Sequence, residues 1–104
     1  MSKAVITNAL LRVTREDQLA EGVFELVRGD LGLWVLELPQ SLEAIAEDLS
    51  EIRPLLRMLS KDASDYTLHL AAAIDEVHSL VIPSVVAELS FACGFSIEVS
   101  GSAE

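Results

Sequence analysis

The sequence predicts an α+β fold in which a mainly antiparallel sheet of about five strands carries two helices, at about 41–60 and 83–93, on one face. Several short runs alternate apolar and polar residues with the period of two that strands show, and turn residues separate them. Two other runs repeat apolar residues at intervals of three and four, the helical period. Residues 1–104 are expected to form a single domain.

Composition and charge exclude several classes of protein. The chain is 51% hydrophobic and 23% charged, which is typical of a globular protein and not of a disordered one. Seven Lys+Arg stand against 17 Asp+Glu, for a net charge of −10. Binding to phosphates needs clustered cations, so we expect no nucleic-acid partner and no docking on an anionic membrane. A single cysteine excludes an internal disulfide and a cysteine-based zinc cluster.

The N-terminus lacks the pattern of a cleavable signal peptide, and no apolar run reaches the length that spans a bilayer. The expected location is therefore the cytoplasm, and no membrane association is expected.

The first half of the chain predicts three strands. Residues 4–13, AVITNALLRV, are rich in β-branched and aliphatic side chains and predict the first strand. Residues 22–39 predict a hairpin, because two alternating runs lie on either side of the glycines and aspartate of residues 29–32.

The segment 41–60 has the most regular helical pattern in the chain. Ser41 is placed to cap its N-terminus. The apolar stripe comprises Leu42, Ile45, Leu49, Ile52, Leu56 and Leu59. Pro54 falls within the stripe without changing its phase, so we expect a kink or a restart there. Leu49 and Leu56 are expected to lie in the core.

Residues 66–80 allow two interpretations. As a strand over 66–75, the segment places Leu68 and Leu70 on one face and His69 on the other. As a helix, it forms an apolar stripe through Leu70, Ile74, Val77 and Val81, and the run of alanines at 71–73 favours a helix.

This segment also holds both histidines and two adjacent acids, which could bind a metal or act as acid and base. In a strand, His69 and Asp75 lie roughly 20 Å apart at about 3.3 Å per residue. In a helix, His69 and Glu76 lie two turns apart. Metal ligands must lie within about 2.3 Å of the ion, so neither geometry makes a shared site, although a chain reversal could return His78. We expect no catalytic residue, metal or cofactor.

The end of the chain predicts a helix followed by a strand. Pro83 suits the first helical turn, and Gly94 is placed for a C-terminal cap. The predicted apolar helix face comprises Val85, Val86, Leu89, Ala92 and Cys93. Cys93 is interpreted as a packing residue, because no cation near it in sequence would activate a thiol. Residues 95–101 then alternate as a strand.

Several short motifs occur in order along the chain. They are Leu11-Arg12-Val13, then Gly32, Trp34 and Leu36, then Ser41-Leu42-Glu43 with Pro54, and a final strand after Gly94. This order resembles that of small bacterial proteins grouped as a domain of unknown function. The resemblance covers most of residues 9–100 and favours the strand interpretation of 66–75. It implies no catalytic residues.

The functional prediction concerns the face of the sheet that the two predicted helices do not cover. Both sets of alternating residues in the first strand are rather apolar, and two helices can cover only one face. We therefore predict a non-catalytic, acidic protein-interaction domain. It would be a homodimer that buries this face or an edge strand, and would leave an acidic surface for a basic protein partner, as an immunity or inhibitor protein does.

The alternative prediction is a small ligand-binding domain or enzyme with a pocket over that face. The candidate residues of the face are Trp34, His69, Ala71, Ala73 and His78. A pocket that contains His69 or His78 beside a carboxylate would favour this alternative. A flat apolar face matched by a symmetry-related copy would favour the interaction domain.

Overall fold

Strands and helices follow one another in an order that gives the predicted α+β class. The computed structural model describes residues 5–61, 63–73 and 81–102. The elements are β1 (Val5–Thr14), β2 (Glu25–Arg28), β3 (Leu33–Glu37), α1 (Leu42–Glu51), α2 (Arg53–Leu59), β4 (Asp65–Ala73), α3 (Ser84–Cys93) and β5 (Ser96–Ser102). The five strands form one sheet in the order β2-β3-β1-β4-β5. All neighbours are antiparallel except β4 and β5, which are parallel and joined through α3.

The predicted helix 41–60 is two helices, so the described chain holds three helices and not two. The Ser41 hydroxyl caps α1 by accepting a hydrogen bond from the Ala44 N–H. The chain leaves helical geometry at Ile52, and α2 restarts with Pro54 in its first turn. A proline there loses no hydrogen bond, whereas inside a continuous helix it would clash with the preceding turn. The predicted restart is confirmed.

The core lies between one face of the sheet and the helices. Cross-strand pairs place Val13 between Trp34 and Tyr66, and Leu11 between Leu36 and Leu68. The helices contribute Ile45, Leu49, Leu56, Leu59, Val86, Leu89 and Cys93 to the same cluster. Leu49 and Leu56 are fully buried, as predicted from the stripe.

Two details of burial differ from the sequence prediction. The register of β1 against β4 shifts between Ile6 and Asn8, so Ile6 joins the core face although simple alternation would place it opposite. This β-bulge explains part of the two-sided apolar character of β1. In α3 the buried face is narrower than predicted, because Val85 and Ala92 are exposed. Gly94 caps α3 as expected.

A buried arginine joins the end of β1 to the end of α2. Arg15 is 5% exposed, and its guanidinium donates to the carbonyl oxygens of Leu59, at 2.7 Å, and Lys61. Leu59 is the last residue of α2, so the Arg15 cation lies at the negative end of the helix dipole and donates to carbonyls at the helix terminus. Arg15 also pairs with Asp17 at 2.7 Å, and its hydrogen bonds lower the pKa of that carboxyl to about 2.

Candidate functional site

The sheet face opposite the helices is the candidate functional surface, and we call it the outer face. Two rows of side chains cross its middle. They are Val35, Arg12, Thr67 and Ser96, and Glu37, Leu10, His69 and Glu98. Within residues 5–61, 63–73 and 81–102, no helix covers these rows. Leu10 and Val35 are half-buried by their neighbours.

Paired charges occupy the centre of the outer face. Arg12 Nε lies 2.9 Å from Asp65 Oδ2, and Arg12 Nη2 lies 3.6 Å from Glu98 Oε2. The Thr67 hydroxyl donates to Asp65 Oδ1 at 2.8 Å, and Thr67 is buried beneath this cluster. The cluster joins β1, β4 and β5. The expectation of an apolar second face is therefore corrected, because a partly buried ion-pair network lies at its centre.

His69 lies at the border of this network. Its Nδ1 is 3.6 Å from Glu98 Oε1, which is too long for a hydrogen bond, and this nitrogen has no hydrogen-bond partner among the described residues. The side chain is 22% exposed. A histidine does therefore lie beside a carboxylate, which is half of the criterion for a ligand site.

The other half of that criterion is a cavity, and the two cavities described here lie elsewhere. One of about 650 Å³ is lined by residues that include Arg15, Asp17 and Leu31. The other, of about 550 Å³, is lined by residues that include Arg53 and Phe91. Neither is lined by His69 or Glu98, so this histidine–carboxylate pair lies outside both cavities.

The structure separates the predicted candidate residues. Ala71 and Ala73 lie on the outer face with His69, as the strand interpretation requires. Trp34 does not, since it pairs with Val13 on the core face and is 6% exposed. Its grouping with His69 is corrected, because alternation along β3 turns its ring towards the helices. His78 lies outside the described residues, as do Asp75 and Glu76.

Two other side chains with reactive groups point into the core. Cys93 is 1% exposed, and burial raises the pKa of its thiol, which favours the unreactive protonated form. The Tyr66 hydroxyl donates to the Leu56 carbonyl oxygen at 2.8 Å, and burial raises its pKa as well. Both groups therefore serve packing and hydrogen bonding.

Sequence reasoning missed four residues of the central cluster: Arg12, Asp65, Thr67 and Glu98. One signal was available, because Arg12 interrupts an otherwise aliphatic strand. The contacts of Arg12 could not be predicted, since the one with Asp65 joins positions 53 residues apart and the one with Glu98 depends on the parallel pairing of β4 with β5.

The chain matches no family model, no curated protein and no solved structure. The resemblance to a bacterial domain of unknown function stays a prediction. Among the described residues, no three His, Cys, Asp or Glu side chains are grouped so that they could hold a metal ion. No helix in those same ranges has the length and apolar character needed to cross a membrane.

Proposed function

We propose that this chain is a non-catalytic protein-interaction domain that forms a homodimer and presents an acidic surface to a basic protein partner. The observation that carries the proposal is the character of the two edge strands of the sheet, β2 and β5. Both edge strands carry exposed apolar side chains, Leu26 and Val27 on β2 and Val99 on β5. Exposed apolar groups next to unpaired backbone are typical of surfaces that meet another chain.

The state of the reactive side chains supports the non-catalytic assignment. Burial raises the pKa of the Cys93 thiol, which disfavours the reactive thiolate, and the Tyr66 hydroxyl donates its hydrogen bond to α2. The outer-face charges pair with one another, and half-exposed ion pairs of this kind are worth about 0–1 kcal/mol each. Ligand sites are usually concave, and both cavities of about 650 and 550 Å³ lie away from the His69–Glu98 pair.

The acidic surface lies along α1. Its four acids, Glu43, Glu47, Asp48 and Glu51, are all exposed, and α1 contains no Lys or Arg. The electrostatic attraction between this surface and a basic partner is strongest at low salt. Binding of such a partner should therefore weaken as ionic strength rises. An immunity or inhibitor protein of a basic target is one form that this function takes.

Sedimentation equilibrium at micromolar concentration should show a dimer that persists or tightens as salt is added. Two copies of charge −10 repel each other, and physiological salt screens that repulsion beyond about 8 Å. Apolar burial is not screened, and a stable interface buries on the order of 1,200 Å² or more. A monomer at every salt concentration would contradict the proposal.

The His69–Glu98 contact favours a second candidate, a ligand-binding domain that uses the outer face. In that case a small acidic or basic ligand would shift the ring signals of His69 in a titration followed by NMR. If the protein is monomeric and such a ligand binds there, the second candidate replaces the first.

A further inference from the structure

We propose that the dimer forms by antiparallel pairing of β5 with β5 of a second copy, about a two-fold axis at Val99, to give one continuous ten-stranded sheet. This inference rests on the proposed homodimer and names its interface. It follows from a comparison of the two sheet edges, from the register that the sequence of β5 allows, and from the exposure of Val99.

The two edges of the sheet are unequal. The β2 edge has only four residues, and its register shifts between Leu26 and Arg28. Arg28 there pairs with Asp30 at 3.1 Å. A short, bulged and charged strand is a usual protection against edge-to-edge pairing.

The β5 edge lacks these protections. It runs for seven residues, Ser96–Ser102, and pairs with β4 at seven successive positions without a register shift. Its sequence, SIEVSGS, contains no proline, so every residue keeps its backbone donor. It also contains no Lys or Arg, the side chains that most often block an edge. Another strand can therefore form backbone hydrogen bonds with the free edge of β5.

Only one two-fold register uses the whole of β5 without placing like charges opposite each other. Val99 is the midpoint of Ser96–Ser102, so an axis there pairs all seven residues. Glu98 of each copy then faces Ser100 of the other, whose hydroxyl can donate to the carboxylate. An axis at Glu98 would instead place two carboxylates directly opposite, which is destabilising.

We call the proposed contact between the two β5 strands, Ser96–Ser102 of each copy, the seam. The side chains on both faces of the sheet along the seam fit the register about Val99. Val99 pairs with the buried Leu70 on the helix side of the sheet but is itself 44% exposed, because β5 is the edge strand among the described residues. Two copies of Val99 would face each other with Cβ atoms about 4.5–5.5 Å apart. On the outer face, Arg12 at 3.6 Å offsets the charge of Glu98 within each copy. The two Glu98 side chains, diagonal at about 7–8 Å, then repel less.

The test compares V99D with V27D in sedimentation equilibrium. Both variants add one carboxylate to an exposed valine, at 44% and 53% exposure, but on opposite edges of the sheet. In V99D two carboxylates face each other across the seam, so we expect the dissociation constant to rise by about tenfold or more, and V27D to remain near wild type.

The results for the wild type and the two variants distinguish the β5 interface from the existence of the homodimer. A wild-type dimer that V99D leaves intact, or that V27D disrupts instead, would overturn the β5 seam and leave the homodimer standing. A monomeric wild type would overturn both. If V99D does not fold, V99C and V27C give the same information: oxidation with diamide should produce a covalent dimer for V99C only, and a covalent dimer for V27C alone would refute the seam.

Discussion

Replacing Leu49 or Leu56 with alanine is expected to lower the free energy of unfolding by about 2–5 kcal/mol, the usual range for a leucine lost from a packed core. Both side chains are fully buried, one in α1 and one in α2, and both join the cluster under the sheet. The change is a large share of a total stability of about 5–15 kcal/mol.

Chemical denaturation measures this loss, and Met58 offers a control in α2. Met58 is 52% exposed, so Met58→Ala should change stability by no more than about 0.5 kcal/mol, as most surface substitutions do. A loss below about 1 kcal/mol for both leucines would mean that the apolar stripe does not face the core.

Gly32→Ala is expected to be the other strongly destabilising substitution. Gly32 has a φ of +64°, and a Cβ added there would lie 2.2 Å from the Arg15 carbonyl oxygen. The left-handed backbone alone costs an alanine about 1–2 kcal/mol. The overlap adds to that cost, because the Arg15 N–H donates to the Gly32 carbonyl oxygen at 2.9 Å and cannot move away without losing the bond.

Gly22→Ala, measured in the same denaturation experiment, separates the cost of a left-handed backbone from the cost of the overlap with Arg15. Gly22 also has a positive φ, +92°, but an added Cβ there meets nothing within 4 Å. It should therefore show the backbone cost alone, about 1–2 kcal/mol. Equal losses for the two variants would show that the contact between Gly32 and Arg15 contributes nothing.

Periodic patterns accounted for most of the fold. Alternation allowed β4 but left residues 66–80 open between strand and helix. It did identify the β2-β3 hairpin, the stripe through Leu49 and Leu56 identified the helical layer, and Pro54 marked the restart between α1 and α2. These features follow from a repeat within one segment, and local sequence therefore specifies them.

Features that depend on pairing between distant segments were not predictable in the same way. The β1 bulge moves Ile6 to the core face, and nothing in the local alternation indicates it. The ion pairs of Arg12 with Asp65 and Glu98 require the β1-β4-β5 strand order, which the sequence alone did not establish. For the same reason Trp34 was grouped with His69, although β3 pairing places it on the core face.

Amide hydrogen exchange of residues 96–102 in the unmodified protein, below and above the dimer dissociation constant, tests the central claim most directly. Successive backbone amides of an edge strand point alternately towards and away from its neighbour. We predict that alternate β5 amides exchange fast at low concentration and become protected as the dimer forms, while β2 amides do not change. Unchanged exchange in β5 at concentrations where the dimer is formed, or new protection in β2 instead, would contradict the account.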